Sequence, residues 1–263
     1  MRNIRLTLAY DGTGFHGWQR QPDKPTIQGL MENAVQKITG EPTTLWGSGR
    51  TDAGVHAANQ VASFKTMCPI PCANLTKALN DILPASVRVK EACDIPLDFH
   101  ARYGAVSKTY RYRILLAPVA SPFIGRFVYH HPYPLDRRAM QRAARMFEGE
   151  HDFTSFAAAD DAPQENDHGP AQGTHRRGNV RRLFSSRLRW HSKSSILIYE
   201  ACGSGFLHHM VRNIVGTLLE IGRGKRQPED IPRILAARDR TLAGPTAPAQ
   251  ALCLWKVSYK AKP

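Results

Sequence analysis

The residues best placed to do chemistry lie in the stretch Gly47-Ser48-Gly49-Arg50-Thr51-Asp52-Ala53-Gly54-Val55-His56. Three glycines within eight residues surround one carboxylate and one guanidinium. Glycine allows backbone angles and close approaches that a side chain would block, so a substrate could rest against the main chain beside Asp52. The competing reading is a glycine-rich turn in which Asp52 accepts hydrogen bonds from nearby main-chain N–H groups, and this stretch alone does not choose between the two.

Two further segments could complete such a site. In Ser107-Lys108-Thr109-Tyr110-Arg111-Tyr112-Arg113-Ile114, aromatic and basic residues interleave at period two. Lys108, Tyr110, Tyr112 and Ile114 then share one face of a strand, and Thr109, Arg111 and Arg113 the other. Aromatic and cationic groups on a sheet are what unstacked bases and phosphates use, although an amphipathic strand with a solvated basic face has the same pattern. From Phe206 onward, Leu207, Met210, Val211, Ile214, Val215 and Leu218 form the apolar stripe of a helix, with Arg212 at its margin. A guanidinium at the edge of a buried face needs an anion. Either a surface acid supplies it, or Asp52 does from the other half of the chain and is thereby held ionised and oriented.

Other chemistries find less support. Gly12-Thr13-Gly14-Phe15-His16-Gly17 fits G-x-G-x-x-G after a strand, but Trp18 to Pro22 with Pro25 cannot continue as the helix that a dinucleotide site requires. A tight loop with Phe15 and Trp18 packed or stacked is expected instead. His130-His131 and His208-His209 are adjacent pairs whose members should point in different directions, and neither has a Glu at H-E-x-x-H spacing, so no metal site is expected. Gly-x-Ser-x-Gly and Walker A motifs are absent from the sequence.

The elements that must carry these residues follow a pattern that occurs twice. Asn3 to Tyr10 alternates as a half-buried strand, and Thr26 should cap a helix that ends at Gly40. Strands follow around Thr43 to Trp46 and Val55 to Phe64, then a helix capped by Asn74, then a strand from Val87 to Ala92. In the second half, Lys108 to Leu116 is a strand and Asp136 caps a helix with Met140, Ala143, Ala144 and Phe147 inward. Arg182 to Trp190 and Ile196 to Cys202 read as paired strands, Phe206 to Ile221 as a helix, and Leu252 to Tyr259 as the last strand. Two β-α-β-β-α-β units predict an α+β fold: a duplicated ferredoxin-like (RRM-like) architecture with mixed or antiparallel sheets meeting at a central active-site cleft. The expected domains are residues 1–103, carrying Asp52, and 104–263, carrying Tyr110, Arg212 and Leu252.

Composition narrows the partner. With 36 Lys and Arg against 22 Asp and Glu among 263 residues, the formal charge is +14, which points to a polyanion. Membrane is the weaker candidate, because no run of 18 apolar residues exists and the N-terminus lacks a signal-peptide core, so a cytoplasmic protein is expected. Cys68, Cys72, Cys93, Cys202 and Cys253 are odd in number and scattered, without C-x-x-C, and are expected as small buried apolar residues.

Taken together, the motifs resemble a known family. Gly49-Arg50-Thr51-Asp52-Ala53-Gly54-Val55-His56-Ala57 is similar to the signature of the tRNA pseudouridine synthase A family. So are Tyr10-Asp11-Gly12 with Phe15-His16-Gly17-Trp18, Lys108-Thr109-Tyr110-Arg111-Tyr112, Gly149-Glu150-His151-Asp152-Phe153, Gly205-Phe206-Leu207, Met210-Val211-Arg212-Asn213 and Ala243-Gly244-Pro245-Thr246-Ala247-Pro248. The likeness covers nearly the whole chain. It implies isomerisation of uridine to pseudouridine at positions 38, 39 and 40 of the tRNA anticodon stem-loop, by a homodimer without cofactor. It also implies Asp52 as nucleophile, Tyr110 as the residue packed on the base and a candidate proton acceptor, Arg212 as the partner of Asp52, Arg50 as a grip on the flipped nucleotide, and Leu252 as cover for the other face of the base. A non-catalytic RNA-binding module on the same scaffold is the alternative. Two departures stand out: Ala251 where the family has glycine, and a long Pro- and Gly-containing stretch from Ala157 to Asn179 whose His175-Arg176-Arg177 end could touch RNA.

Overall fold

Alternating apolar residues become strand β1, Arg2–Tyr10, with Ile4, Leu6, Leu8 and Tyr10 buried, in a computed structural model that describes residues 1–158 and 178–260. Helix α1, Ile27–Thr39, begins where expected. The Thr26 hydroxyl accepts from the Gly29 N–H at 3.3 Å, and Gly40 ends the helix with φ 75°. The expected strand from Thr43 is reduced to β2, Trp46–Gly47, because local bonds compete with the ladder. The Thr43 hydroxyl donates to the Glu41 carbonyl at 3.1 Å, and the Leu45 N–H donates to the Glu32 carboxylate at 3.0 Å. Next come β3, His56–Thr66, α2, Cys72–Ile82, and β4, Val87–Ile95. Asn74 is not the cap of α2: the helix starts three residues earlier than that cap implies, at Cys72 behind Pro71, whose ring fixes the entry angle. β1 pairs antiparallel with both β3 and β4, and β2 pairs antiparallel with β3 through Trp46↔Ser63 and Gly47↔Ala62. The order β4-β1-β3-β2 is that of a split β-α-β unit.

Strand β5, Ala105–Leu115, buries Tyr110, Tyr112 and Ile114 and leaves Thr109, Arg111 and Arg113 half-buried, as the period-two pattern requires. The short β6, Tyr129–His130, runs parallel to it. Asp136 caps α3, Arg137–Arg145, accepting from the Arg138 and Ala139 N–H groups at 2.9 Å each. β7, Gly149–Asp152, pairs antiparallel with β8, Val180–His191, which pairs antiparallel with β9, Ile196–Gly203. The strand order is β5-β9-β8-β7. Helix α4, Met210–Gly222, is buried almost all round, and α5, Asp230–Ala237, follows. α4 starts later than Phe206 because His209 takes a left-handed φ of 60°. Phe147, Phe153 and Phe156, all fully buried, pack ring against ring beneath it.

The last strand, β10, Leu252–Tyr259, runs parallel to β3 with Cys253↔His56 and Leu254↔Ala57 in register. It therefore shares one edge of β3 with β2. The chain forms two compact units, Met1–Tyr110 with Ala249–Pro263, and Arg111–Pro248. This differs from a division after Tyr103: the boundary falls inside β5, and Leu252 belongs to the first unit because β10 finds its ladder partner there. The cysteines also differ from expectation. All five are free, but each is half-buried rather than buried. No helix among the described residues is long and apolar enough to cross a membrane.

Candidate active site

Asp52 lies on the connection from β2 to β3, half-buried, in a loop held from several sides. The buried Gln60 side chain accepts from the Ser48 hydroxyl at 2.6 Å and donates to the Gly49 carbonyl at 3.0 Å. The Thr51 hydroxyl is 2.9 Å from the Tyr10 hydroxyl. The glycine-rich segment from Asp11 to Trp18 is a loop and opens no helix, as Pro22 and Pro25 just after it require, and it backs onto the Asp52 loop. The Trp18 N–H donates to the Thr51 carbonyl at 3.0 Å and the Gly54 N–H to the Phe15 carbonyl at 3.2 Å. A Cβ on Gly12 would run into the Val55 carbonyl, and one on Gly17, whose φ is +84°, into the Thr51 carbonyl. Trp18 is a packing residue, buried against Gly47 and tilted over Tyr10 at 6.3 Å. His56 ties three segments: Nδ1 accepts from the Gly12 N–H at 2.9 Å with Asp11 Oδ1 3.1 Å away, and Nε2 is 2.9 Å from the Gln250 carbonyl.

Tyr110 is buried within electrostatic reach of this loop. Its hydroxyl is pushed far above the ordinary tyrosine value, first by burial, then by Tyr10 and by the negative charge of Asp52. The phenol therefore stays protonated throughout the neutral range. Leu252 is buried at the start of β10, next to Cys253, which is in register with His56. Ala251 is buried just before it. Arg50 is exposed, its Nε donating to Gln19 at 3.2 Å. Lys108 was singled out by the sequence only as a neighbour of Tyr110 on the strand face, yet a Cβ on Gly49 would stand 2.9 Å from its Nζ. A second cation thus adjoins the Asp52 loop, and the i, i+2 spacing from Tyr110 is the signal that points to it.

Arg212 is on α4, in the second unit, half-buried at the margin of the apolar stripe as the helical spacing predicts. Its Nε donates to the Ala247 carbonyl at 2.8 Å, and the Ala247 N–H donates back to the Arg212 carbonyl at 3.1 Å. The loop bearing Ala247 is clamped by Arg240, which donates to the Gly244 carbonyl at 3.0 Å, to Thr246 at 3.1 Å and to Asn213 at 3.1 Å. The Thr246 hydroxyl donates to Asn213 at 2.6 Å, and the Gly244 N–H to Thr217 at 2.8 Å. Nothing in the spacing of Arg240 announces this role. His208 and His209 do not diverge: their ring centroids are 3.9 Å apart, because the left-handed backbone of His209 folds one ring over the other. The first unit thus carries Asp52, Arg50, Tyr110 and Leu252, and the second carries Arg212. His175, Arg176 and Arg177 lie outside the described residues.

The pattern of a family described as tRNA pseudouridine synthase matches residues 7–104 and 143–260. The chain is similar to the tRNA pseudouridine synthase A of Caldicellulosiruptor bescii, 46% identical over 259 residues that cover 98% of this chain and 100% of the relative. It is 49% identical to the protein of that name from Solibacter usitatus, with 98% and 100% covered, and 45% identical to the one from Syntrophotalea carbinolica, with 98% and 97% covered.

Proposed function

This chain belongs to the tRNA pseudouridine synthase family and is an isomerase acting on tRNA, and from that premise we propose that it converts uridines 38, 39 and 40 of the anticodon stem-loop with Asp52 as nucleophile and no cofactor. It works in the cytoplasm as a homodimer. The observation that carries the assignment of Asp52 is its loop: a half-buried carboxylate fixed by main-chain contacts on both sides, beside a neutral buried phenol.

The reaction breaks the N1–C1′ bond of uridine and forms C5–C1′. The C5 hydrogen leaves as a proton and N1 gains one, so no electrons are exchanged and no redox cofactor is needed. Asp52 attacks the base or C1′ of the ribose and holds one fragment while the uracil turns. Tyr110 packs its ring on the base. Because burial keeps its hydroxyl protonated, the phenol acts first as a surface and hydrogen-bond donor, and it takes up the C5 proton only as its own hydroxyl proton passes on to the base or to water. Leu252 covers the opposite face, Arg50 grips the flipped nucleotide through phosphate, and Arg212 is the cationic partner that orients the Asp52 carboxylate. A uridine in a stem leaves its stack at a cost of a few kcal/mol, which these contacts offset.

The test is incubation with tRNA carrying tritium at uracil C5, without added cofactor. Release of label to water is expected, at a level that tracks the uridines present at positions 38 to 40. A protein that binds tRNA but releases no label is an RNA-binding module, and the catalytic reading fails.

A further inference from the structure

Helix α3 carries a surface that none of the proposed catalytic residues uses. Arg137, Arg138, Gln141, Arg142 and Arg145 line one side, and Trp190 of β8 the other, of a groove of about 390 Å3. The four arginines are exposed, and Trp190 is 40% exposed. The Arg137 guanidinium carbon stands 4.4 Å from the centroid of the Trp190 ring, within cation–π range. Gln141 accepts from the Leu188 N–H at 2.9 Å, which fixes the helix to the strand and the two walls of the groove to each other.

Helix stability does not call for this composition. Arg138 and Arg142 are like charges at i, i+4, which destabilise a helix. Arg137 and Arg138 stand in the first turn, where the macrodipole disfavours cations; the turn itself holds no acid, and the carboxylate of the N-cap Asp136 is taken up by main-chain N–H groups. Only Arg142 and Arg145, in the last turn, suit the dipole. Among the described residues none of the four is in an ion pair, whereas Arg187 and Arg189 on the adjoining strand reach Glu148 and Glu200. Uncompensated guanidinium groups beside an accessible indole are the chemistry that recognises RNA. The forks bind phosphate oxygens in pairs, and the ring takes an unstacked base.

We propose that the α3–β8 groove is an anchoring site for an unpaired segment of the tRNA substrate, with a base on Trp190 in place of Arg137 and phosphates on Arg138, Arg142 and Arg145. It contributes affinity and not chemistry. This rests on tRNA being the substrate, but not on Asp52 being the nucleophile.

The triple variant Arg138→Gln/Arg142→Gln/Arg145→Gln and the single variant Trp190→Ala test it, with circular dichroism and thermal melting as the check on folding and Trp190→Phe as the milder ring change. Binding to tRNA is measured by filter retention across a salt series, and single-turnover isomerisation at saturating tRNA. The triple variant should bind at least about tenfold more weakly at 0.15 M salt, with the slope of log affinity against log salt reduced by roughly two to three. Trp190→Ala should weaken binding by about tenfold with no change in slope, because stacking releases no counterions. Neither should change the rate at saturation. Unchanged affinity and slope in the triple variant overturn the proposal, as does a rate at saturation that falls along with affinity. So does loss of binding to phosphatidylserine vesicles with tRNA binding intact, which would make the surface a membrane contact. A parent protein that binds tRNA through the groove yet releases no tritium sinks the catalytic reading alone, while tritium release with both groove variants binding normally sinks this proposal alone.

Discussion

Asp52 and Arg212 are held in place by different means. Around Asp52, main chain meets main chain: Gly12 and Gly17 bring the loop from Asp11 to Trp18 against the carbonyls of Val55 and Thr51, with no room for a Cβ. Around Arg212, side chains set the geometry, with Arg240, Asn213, Thr246 and Thr217 pinning the loop whose Ala247 carbonyl receives the guanidinium. A backbone junction fails when a methyl group is added. A side-chain network fails when a polar group is removed, and then by degrees, because its members share the load.

The largest effect should come from the held groups themselves. Asp52→Asn keeps size and fold but removes the nucleophile, so turnover should fall by at least about a thousandfold with tRNA affinity nearly intact. Arg212→Met should also lose turnover, and combining the two should cost no more than Asp52→Asn alone. Residual activity above that level, measured by tritium release, would remove Asp52 as the covalent catalyst. Full activity in Arg212→Met would separate the two residues.

Positioning should matter less, and unequally. Gly17→Ala forces a side chain into a left-handed position against the Thr51 carbonyl, and a displacement of about 1 Å at Asp52 should cost roughly a hundredfold in single-turnover rate. Arg240→Met removes charge-assisted hydrogen bonds worth about 1.5–3 kcal/mol. It should lower the melting temperature by several degrees but the rate by only about tenfold. Equal losses in the two variants would erase the distinction between a backbone junction and a side-chain network.

The smallest effect concerns pH. Tyr10 and Tyr110 in the first unit, and Tyr112 and Tyr199 in the second, have hydroxyls raised well above the ordinary value, each chiefly by burial. A group raised on folding contributes stability that is complete below its unfolded value near 10 and is lost as pH climbs above it. Stability should therefore be flat with respect to these groups at neutral pH and fall beyond about pH 10, by up to about 1.4 kcal/mol per pH unit for each tyrosine. Tyr110→Phe should make the alkaline fall shallower by one such share, and it should reduce turnover less than Tyr110→Ala, because it keeps the ring. Chemical denaturation at pH 9 to 11 reads the first, and single-turnover rates read the second. Equal rates for Tyr110→Ala and the parent protein would deny Tyr110 any contact with the base.

Local signals were legible where a single physical cause dominates. Thr26, Gly40 and Asp136 stand at their helix ends because capping is decided within a few residues. The burial of Tyr110, Tyr112 and Ile114 follows from period two. The helix of Arg212 and its margin position follow from period 3.6. What escaped depends on partners distant in sequence. Whether Thr43 to Trp46 extends was decided by Glu32, and the home of Leu252 by the free edge of β3. β7 is too short to carry a pattern, and α5 has a proline, Pro232, in its first turn. Of the candidate site, Asp52 was marked by its glycines. Lys108 had only its i, i+2 spacing from Tyr110 to point to it, and Arg240 is seen only once the chain has brought it to Asn213.

The return of β10 to the edge of β3 also orders events during synthesis. β3 leaves the ribosome long before its parallel neighbour: at about 5–20 residues per second, the stretch from β4 to β10 takes roughly 8 to 30 seconds to translate. During that interval the edge at His56 and Ala57 lacks its later strand and is open to a neighbouring nascent chain, and the Gln250 carbonyl that steadies the His56 ring has not yet been made. The Asp52 loop therefore acquires its last anchor only when the C-terminal strand is delivered.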